Sequence, residues 1–275
     1  MRRLITLIAL AAAVAACRQG GDDGAPPDPS GSATPAPTAS PTATASAEAT
    51  SNGARSVAEE TDDFLFEYSY PVEAGRIPEL ATVLDLWLAQ RREALAEESA
   101  EARREARGDG FPYNKHSYTA EWKVIAELPG WLSLSADVAT YGGGAHGDAA
   151  IESLVWDKEN EQAFDARKLF TSSRALEQAL GDRFCDALNR QRAERREEPV
   201  DAASDYEFDQ CPGVGELEVV VGSSNRRVFD RLTLYAGPSV AGPYAEGAYQ
   251  VDLPVDRAIL DAVKPEYRAA FGARN

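Results

Sequence analysis

The chain has 275 residues, 28 Lys and Arg against 45 Asp and Glu, and a formal charge of −17. That balance excludes nucleic acid and anionic lipid headgroups as partners of a folded part, because like charges repel. It suits a cationic protein or a metal ion, and it equally suits an acidic surface that serves only solubility.

Arg2 and Arg3 precede an apolar run from Leu4 to Val14. The run is too short to persist as a membrane-spanning helix, so residues 1–16 read as an export signal. It ends in Val14-Ala15-Ala16-Cys17, which resembles the lipobox of bacterial lipoproteins and would make Cys17 the lipidated N-terminus. Stable anchoring takes more than one acyl chain, which such a cysteine carries. Arg18 stands where an aspartate would favour inner-membrane retention, so the expected location is the periplasm-facing outer membrane of a bacterial envelope. Cleavage would remove Arg2 and Arg3 and take the formal charge from −17 to −19. From Gln19 to about Arg55 the chain is Gly, Pro, Ser, Thr and Ala, with almost nothing to bury. Residues 17–60 are therefore expected to form a disordered tether outside the fold.

Phe64, Phe66, Tyr68 and Tyr70 alternate along a strand that Pro71 ends. Pro78 stands in the first turn of a helix, where its missing N–H is no loss. Ile77, Leu80, Leu84, Trp87, Leu88 and Leu95 give that helix an apolar stripe, which fades into a solvated extension stopping near Gly108 and Gly110. Tyr118, Ala120, Trp122, Val124 and Ala126 alternate along one strand, and Leu132, Leu134, Ala136 and Val138 along the next. Pro129-Gly130 between them predicts an antiparallel hairpin. Ile151 to Trp156 reads as a further strand. Leu176, Leu180, Phe184 and Leu188 repeat every four residues and predict a second helix. Leu217 to Gly222, Val228 to Tyr235 and Ala248 to Leu253 read as strands, and Asp256 to Val263 as a short closing helix. The expectation is an α+β fold, a mainly antiparallel sheet with two principal amphipathic helices packed on it.

Cys185 and Cys211 are the cysteines beyond Cys17. Two cysteines in an exported chain are expected to pair. A catalytic thiol has no sequence-adjacent histidine or Cys-x-x-Cys to support it, and the spacing does not suit a zinc site.

Four glycines surround a histidine in Tyr141-Gly142-Gly143-Gly144-Ala145-His146-Gly147. Letter by letter Gly142-x-Gly144-x-x-Gly147 fits a dinucleotide fingerprint, but the run lies among antiparallel strands rather than in a βαβ unit. Instead Tyr141, Gly143, Gly144, Ala145, His146 and Gly147 resemble the Tyr-x-Gly-Gly-Ala-His-Gly signature of the extracytoplasmic domains of RsiV and PdaC. Gly242-Pro243-Tyr244-Ala245-Glu246-Gly247, followed by Val251-Asp252-Leu253-Pro254, is similar to the tail of the RsiV C-terminal part, which draws Pro243, Tyr244 and Gly247 into the motif. The resemblance implies a PdaC-like subdomain over 61–150 and an RsiV-like one over 151–272. It implies work at the cell wall and, from RsiV, binding of lysozyme. It does not carry deacetylase chemistry, which sits in a separate domain with a metal-binding Asp and a His-x-x-x-His pair; here His116 and His146 stand far apart.

His146 reads as a ligand, an acid–base group or a recognition donor, or as a structural lock whose ring nitrogens are satisfied by backbone. Catalysis would need a carboxylate partner, for which Asp137 and Asp148 are near in sequence. Tyr141 and Tyr244 are expected around the same corner. Of Trp87, Trp122, Trp131 and Trp156, Trp131 reads as the exposed one. No catalytic residue, metal or cofactor is expected. The leading expectation is a non-catalytic lipoprotein that binds a wall component such as peptidoglycan, or a cationic protein such as lysozyme. The alternative is a peptidoglycan hydrolase with His146 in its site.

Overall fold

The computed structural model describes residues 45–201 and 204–274. The export signal over 1–16, Cys17 and the first part of the tether lie outside the described residues. The fold is α+β, as its patterning predicts. A seven-stranded sheet runs in chain order through β1 (Ala45–Ser51), β2 (Ala54–Glu60), β3 (Phe64–Tyr70), β4 (His116–Glu127), β5 (Trp131–Tyr141), β6 (Asp148–Asp157) and β7 (Gln162–Phe164). Every pairing is antiparallel except β3 with β4. A parallel pair needs a crossover. Here α1 (Val72–Gly75) and α2 (Pro78–Asp109) supply it, and α2 ends at Gly110 in the left-handed region. The boundary drawn at residue 150 falls inside β6.

The tether was expected to reach residue 60, but residues 45–60 form the β1–β2 hairpin. Its turn is Asn52-Gly53, both at positive φ (53° and 100°), the conformation that a tight two-residue hairpin demands. Poor burial by small residues is offset by pairing: β2 lies along β3, and Glu59 is held by Arg92 of α2 at 2.5 and 2.7 Å. β7, unforeseen in the sequence, adds a short strand beyond the Asp157 turn.

The alternation of β3, β4 and β5 sends one set of side chains under α2. Leu80, Leu84, Leu88 and Leu95 pack there on Phe66, Tyr68, Tyr118, Trp122, Leu134 and Trp156. The buried Trp122 indole donates to the Tyr68 hydroxyl at 2.9 Å. Ala126 does not follow this pattern. A register irregularity between Val124 and Ala126 pairs Ala126 with Ser133, so the end of β4 turns over and Ala126 enters the second core.

That second core lies on the other face of the sheet. It is closed by a three-stranded antiparallel sheet, β8 (Glu218–Gly222), β9 (Arg231–Ala236) and β10 (Tyr249–Pro254), ordered β10-β9-β8. It also includes α3 (Ser173–Leu180), α4 (Asp182–Arg196) and α5 (Arg257–Ala262). The single helix expected over Leu176–Leu188 is two helices. Gly181 breaks it at φ 53°, ψ −143°, a conformation that other residues reach only under strain. The four apolar side chains stay buried because the break turns α4 without taking it off the core. Trp131 is also corrected: it is packed edge-on against Phe229 and Tyr267 and tilted against Phe164, a junction residue rather than an exposed platform.

Two features tie the second core together. Cys185 of α4 is bonded to Cys211, with Cα atoms 5.7 Å apart across 26 residues of chain. Beside it Arg192, fully buried, spends its guanidinium on the carbonyls of Ala241 (2.8 Å), Asp209 (3.3 Å) and Gln210 (2.9 Å) and on Asn189 Oδ1 (2.9 Å). Between the sheets, Ser153 of β6 donates its N–H (2.9 Å) and its hydroxyl (2.6 Å) to the Glu218 carboxylate of β8.

Two stability predictions follow from these ties. Replacing both Cys185 and Cys211 by Ala is expected to lower the unfolding free energy by about 3.5 kcal/mol, the loop-closure value for that chain separation, read in urea melts. Burial raises the Glu218 carboxyl above its ordinary value, against the opposing pull of Ser153. A folded value above the unfolded one favours the neutral form, so stability is full below the usual glutamate range and falls as pH rises through the folded value. Glu218→Gln keeps the acceptor oxygen without the charge. It is expected to match or exceed the parent in melts at neutral pH and to lose that advantage in acid.

Candidate functional site

The glycine run closes the β5–β6 hairpin, and each glycine has its own reason or none. A Cβ on Gly147 would stand 2.6 Å from the Thr140 carbonyl oxygen, closer than a side chain can approach. Gly143 sits at φ +80°, and its carbonyl accepts from Asn114 Nδ2 at 2.8 Å. Gly142 and Gly144 have open space where a Cβ would go. Tyr141 donates its hydroxyl to the Gly144 carbonyl at 2.9 Å and ties the loop to its strand. Ala145 is exposed.

His146 is exposed, and its ring lies on Tyr244 with centroids 3.9 Å apart and planes 27° off parallel. Nδ1 donates to the Gly147 carbonyl at 3.2 Å. The Tyr244 hydroxyl donates to the same carbonyl oxygen, whose two lone pairs accept both. The two motifs, 97 residues apart at that bond, therefore meet on one backbone oxygen. Pro243 precedes a 3-10 turn, Tyr244–Glu246, which Gly247 ends at φ +71°. The turn is held from below. Glu246 accepts from the Tyr249 hydroxyl and from Arg196 Nε (2.9 Å), and its carbonyl accepts from Arg195 Nη1 (2.6 Å). Burial would raise the Glu246 carboxyl, but these donors prevail and hold it below the ordinary range. A Cβ on Gly242 would meet that carboxylate at 2.3 Å. Glu246 is the member of the corner to which the sequence assigned no role, and only its tertiary partners on α4 reveal one.

The scan for related families matches residues 57–148 to the family described as Deacetylase PdaC. That stretch, about a third of the chain, is what resembles the PdaC family. The match stops one residue past the glycine corner. No curated protein matches the chain. Among solved structures, a DUF3298 family protein from Pseudomonas aeruginosa PAO1 is similar at 15% identity and TM-score 0.46, over 86% of this chain and 99% of that one. A DUF3298 family member from Bacteroides fragilis NCTC 9343 is similar at 13% identity and TM-score 0.44, over 77% and 88%.

The carboxylates that could have activated His146 are elsewhere engaged or apart. Asp137 is held by Lys123 at 2.6 Å, and neither it nor Asp148 hydrogen-bonds the ring. Among the described residues, no group of three or more His, Cys, Asp or Glu is placed to hold a metal ion.

A second feature lies beside the corner. The three-stranded sheet covers only part of the face opposite α2 and leaves a groove of about 790 Å³. Register writes its floor. Ala58, Glu67, Thr119, Ala139 and Ala149 form one row across five strands, and Ser56, Ser69, Glu121, Asp137 and Ile151 the next. Small side chains thus lie around three carboxylates, with Tyr235 and Gln250 at the wall. Glu121 stands directly opposite Asp137, a like-charge pair that weakens a sheet. Lys123 bridges both, at 3.0 and 2.6 Å, and Glu67 makes no ion pair among the described residues.

Gly147→Ala is expected to destabilise by roughly 1–3 kcal/mol, because the new methyl forces the hairpin open. Gly144→Ala, whose new methyl meets open space, is expected within about 0.5 kcal/mol of the parent. Thermal melts of the pair test whether the run is built by contact or by composition.

Proposed function

We propose that the chain is a lipid-tethered envelope protein that binds rather than catalyses, and that it docks a cationic protein such as lysozyme in the groove beside the glycine corner. The observation that carries this reading is the facing pair Glu121 and Asp137 with the unpaired Glu67 on a floor of small residues. Like charges facing across a sheet are a cost to the fold, and a partner's Arg or Lys relieves it. Lys123 occupies that role in the free protein and would give way or share. The acidity of the whole chain, −17, adds long-range attraction for a basic partner. Export, lipidation at Cys17 and the outer-membrane location belong to the same proposal and rest on residues 1–18. So does the RsiV-like character of the C-terminal part, which rests on Gly242–Gly247. A wall component such as peptidoglycan is the other ligand consistent with an envelope location.

The hydrolase alternative has the exposed His146 in its favour and the lack of a carboxylate on its ring against it.

Calorimetry of the chain from Ala45 with a c-type lysozyme, at low and physiological salt, tests the docking. Binding is expected to weaken with salt and to fall roughly tenfold in Glu67→Lys or Glu121→Lys. No binding at low salt would overturn it. Turnover of peptidoglycan that disappears in His146→Ala would replace it with the hydrolase.

A further inference from the structure

A second concavity lies on the opposite side of the large sheet, between α2 and the strands beneath it. Its volume is about 410 Å³, within the ~300–1,000 Å³ of small-molecule sites. Three aromatic rings line it: Trp87 from α2, Tyr68 from β3 and Tyr118 from β4. Trp87 is half-buried, its ring seated on Trp122 at 5.7 Å with planes 38° apart. The rest of the lining is Gln90, Arg91 and Ala94 on the helix and Glu152 on β6.

The polar groups there are arranged for a neutral guest. Arg91 and Glu152 close on each other at 2.9 Å across the sheet–helix gap and cancel. In a chain of charge −17 this pocket has no net charge of its own, so it is not the acidic groove repeated. Arg91 also lies over the Tyr118 ring, 5.8 Å from its centroid. The exposed Gln90 amide, with two donors and an acceptor carbonyl, has no hydrogen-bond partner among the described residues.

The Tyr68 hydroxyl is the second, independent sign. Tyr68 is 2% exposed, and its hydroxyl oxygen accepts from Trp122 Nε1. No described group accepts its proton, and a buried donor left unmet is costly. Burial pushes the phenol far above its ordinary value, so it remains a donor at any physiological pH. Burial likewise pushes Tyr118 up to about 12. The pocket thus presents aromatic faces, one buried O–H donor, one amide and a neutral Arg–Glu pair.

From this arrangement we infer that the pocket binds a neutral pyranose sugar. Such a ring has an apolar C–H face for the Trp87 indole and hydroxyl oxygens for Tyr68, Gln90 and Arg91. The site shares no residue with the glycine corner. Its only common residue with the acidic groove is Tyr68, whose side chain faces the α2 side, so failure here leaves the docking proposal intact.

The test is NMR titration of the chain from Ala45 with N-acetylglucosamine and glucose oligomers, with sorbitol as an open-chain polyol control. The four tryptophans give four indole N–H signals, and Trp87→Phe assigns that of Trp87. The expected result is a saturable shift of the Trp87 signal with at least one of the sugars and none with sorbitol. Gln90→Ala and Arg91→Met, both at the rim and away from the core, are each expected to weaken that binding roughly tenfold. No saturable shift at Trp87, an equal shift with sorbitol, or binding unchanged in both rim variants would overturn the assignment.

Discussion

The register of β4, β5 and β6 is the constraint on which the rest of the molecule depends. Side chains alternate across a strand, so a slip of one residue would move every buried group to the opposite face. With the register as it is, Tyr118, Trp122, Leu134 and Leu154 go under α2, while Val155 goes into the second core. The same pairing places Glu121 opposite Asp137 and aligns the small residues of the groove floor. One sheet therefore builds two cores and an open surface. The irregularity after Val124 is what lets it do so, because it turns Ala126 from the first core into the second.

The glycine corner is a consequence of that arrangement. A hairpin between two long strands must close within a few residues, and Gly147 passes too close to Thr140 for any side chain. Its carbonyl then points outward and collects two donors, one from its own loop and one from the C-terminal turn. An exposed histidine stacked on a tyrosine and bonded to backbone has the chemistry of a clasp. The clasp is anchored through Glu246 to Arg196, and Arg196 also binds Asp209 at 2.6 Å, two residues before the disulfide at Cys211. The corner, the tail motif and the disulfide loop thus form one connected network.

The two surfaces proposed to bind differ in physical character. The groove holds carboxylates in a mutually repulsive pair and suits a cation. The aromatic pocket holds a neutralised ion pair, stacked rings and an unmet hydroxyl donor, and it suits a neutral guest. Opposite faces of one sheet carry them, so occupancy of one leaves the other accessible.

Much of this was legible in the sequence. Period-two runs set the strands Phe64–Tyr70 and Leu132–Val138 and the leucine stripe set α2, because each depends on neighbours within a few residues, while the disulfide was legible because an exported chain offers Cys185 only Cys211 as a partner beyond Cys17. The motif residues Tyr141, His146 and Tyr244 were also visible as letters. What they do was not: Tyr141 ties the loop to the Gly144 carbonyl, while His146 and Tyr244 meet on the Gly147 carbonyl from positions 97 residues apart at the Tyr244 bond. The β1–β2 hairpin was misread from composition, although Asn52-Gly53 announced a tight turn; small residues form strands when a neighbour supplies the hydrogen bonds. The turn-over at Ala126 and the packing of the half-buried Trp131 left no local sign, and Gly181 marked a weak point in the helix without showing that the chain breaks there. Sequence determined which residues alternate and where the chain can turn. Tertiary structure decided which face each one took, because pairing and packing between distant segments carry more free energy than local preference.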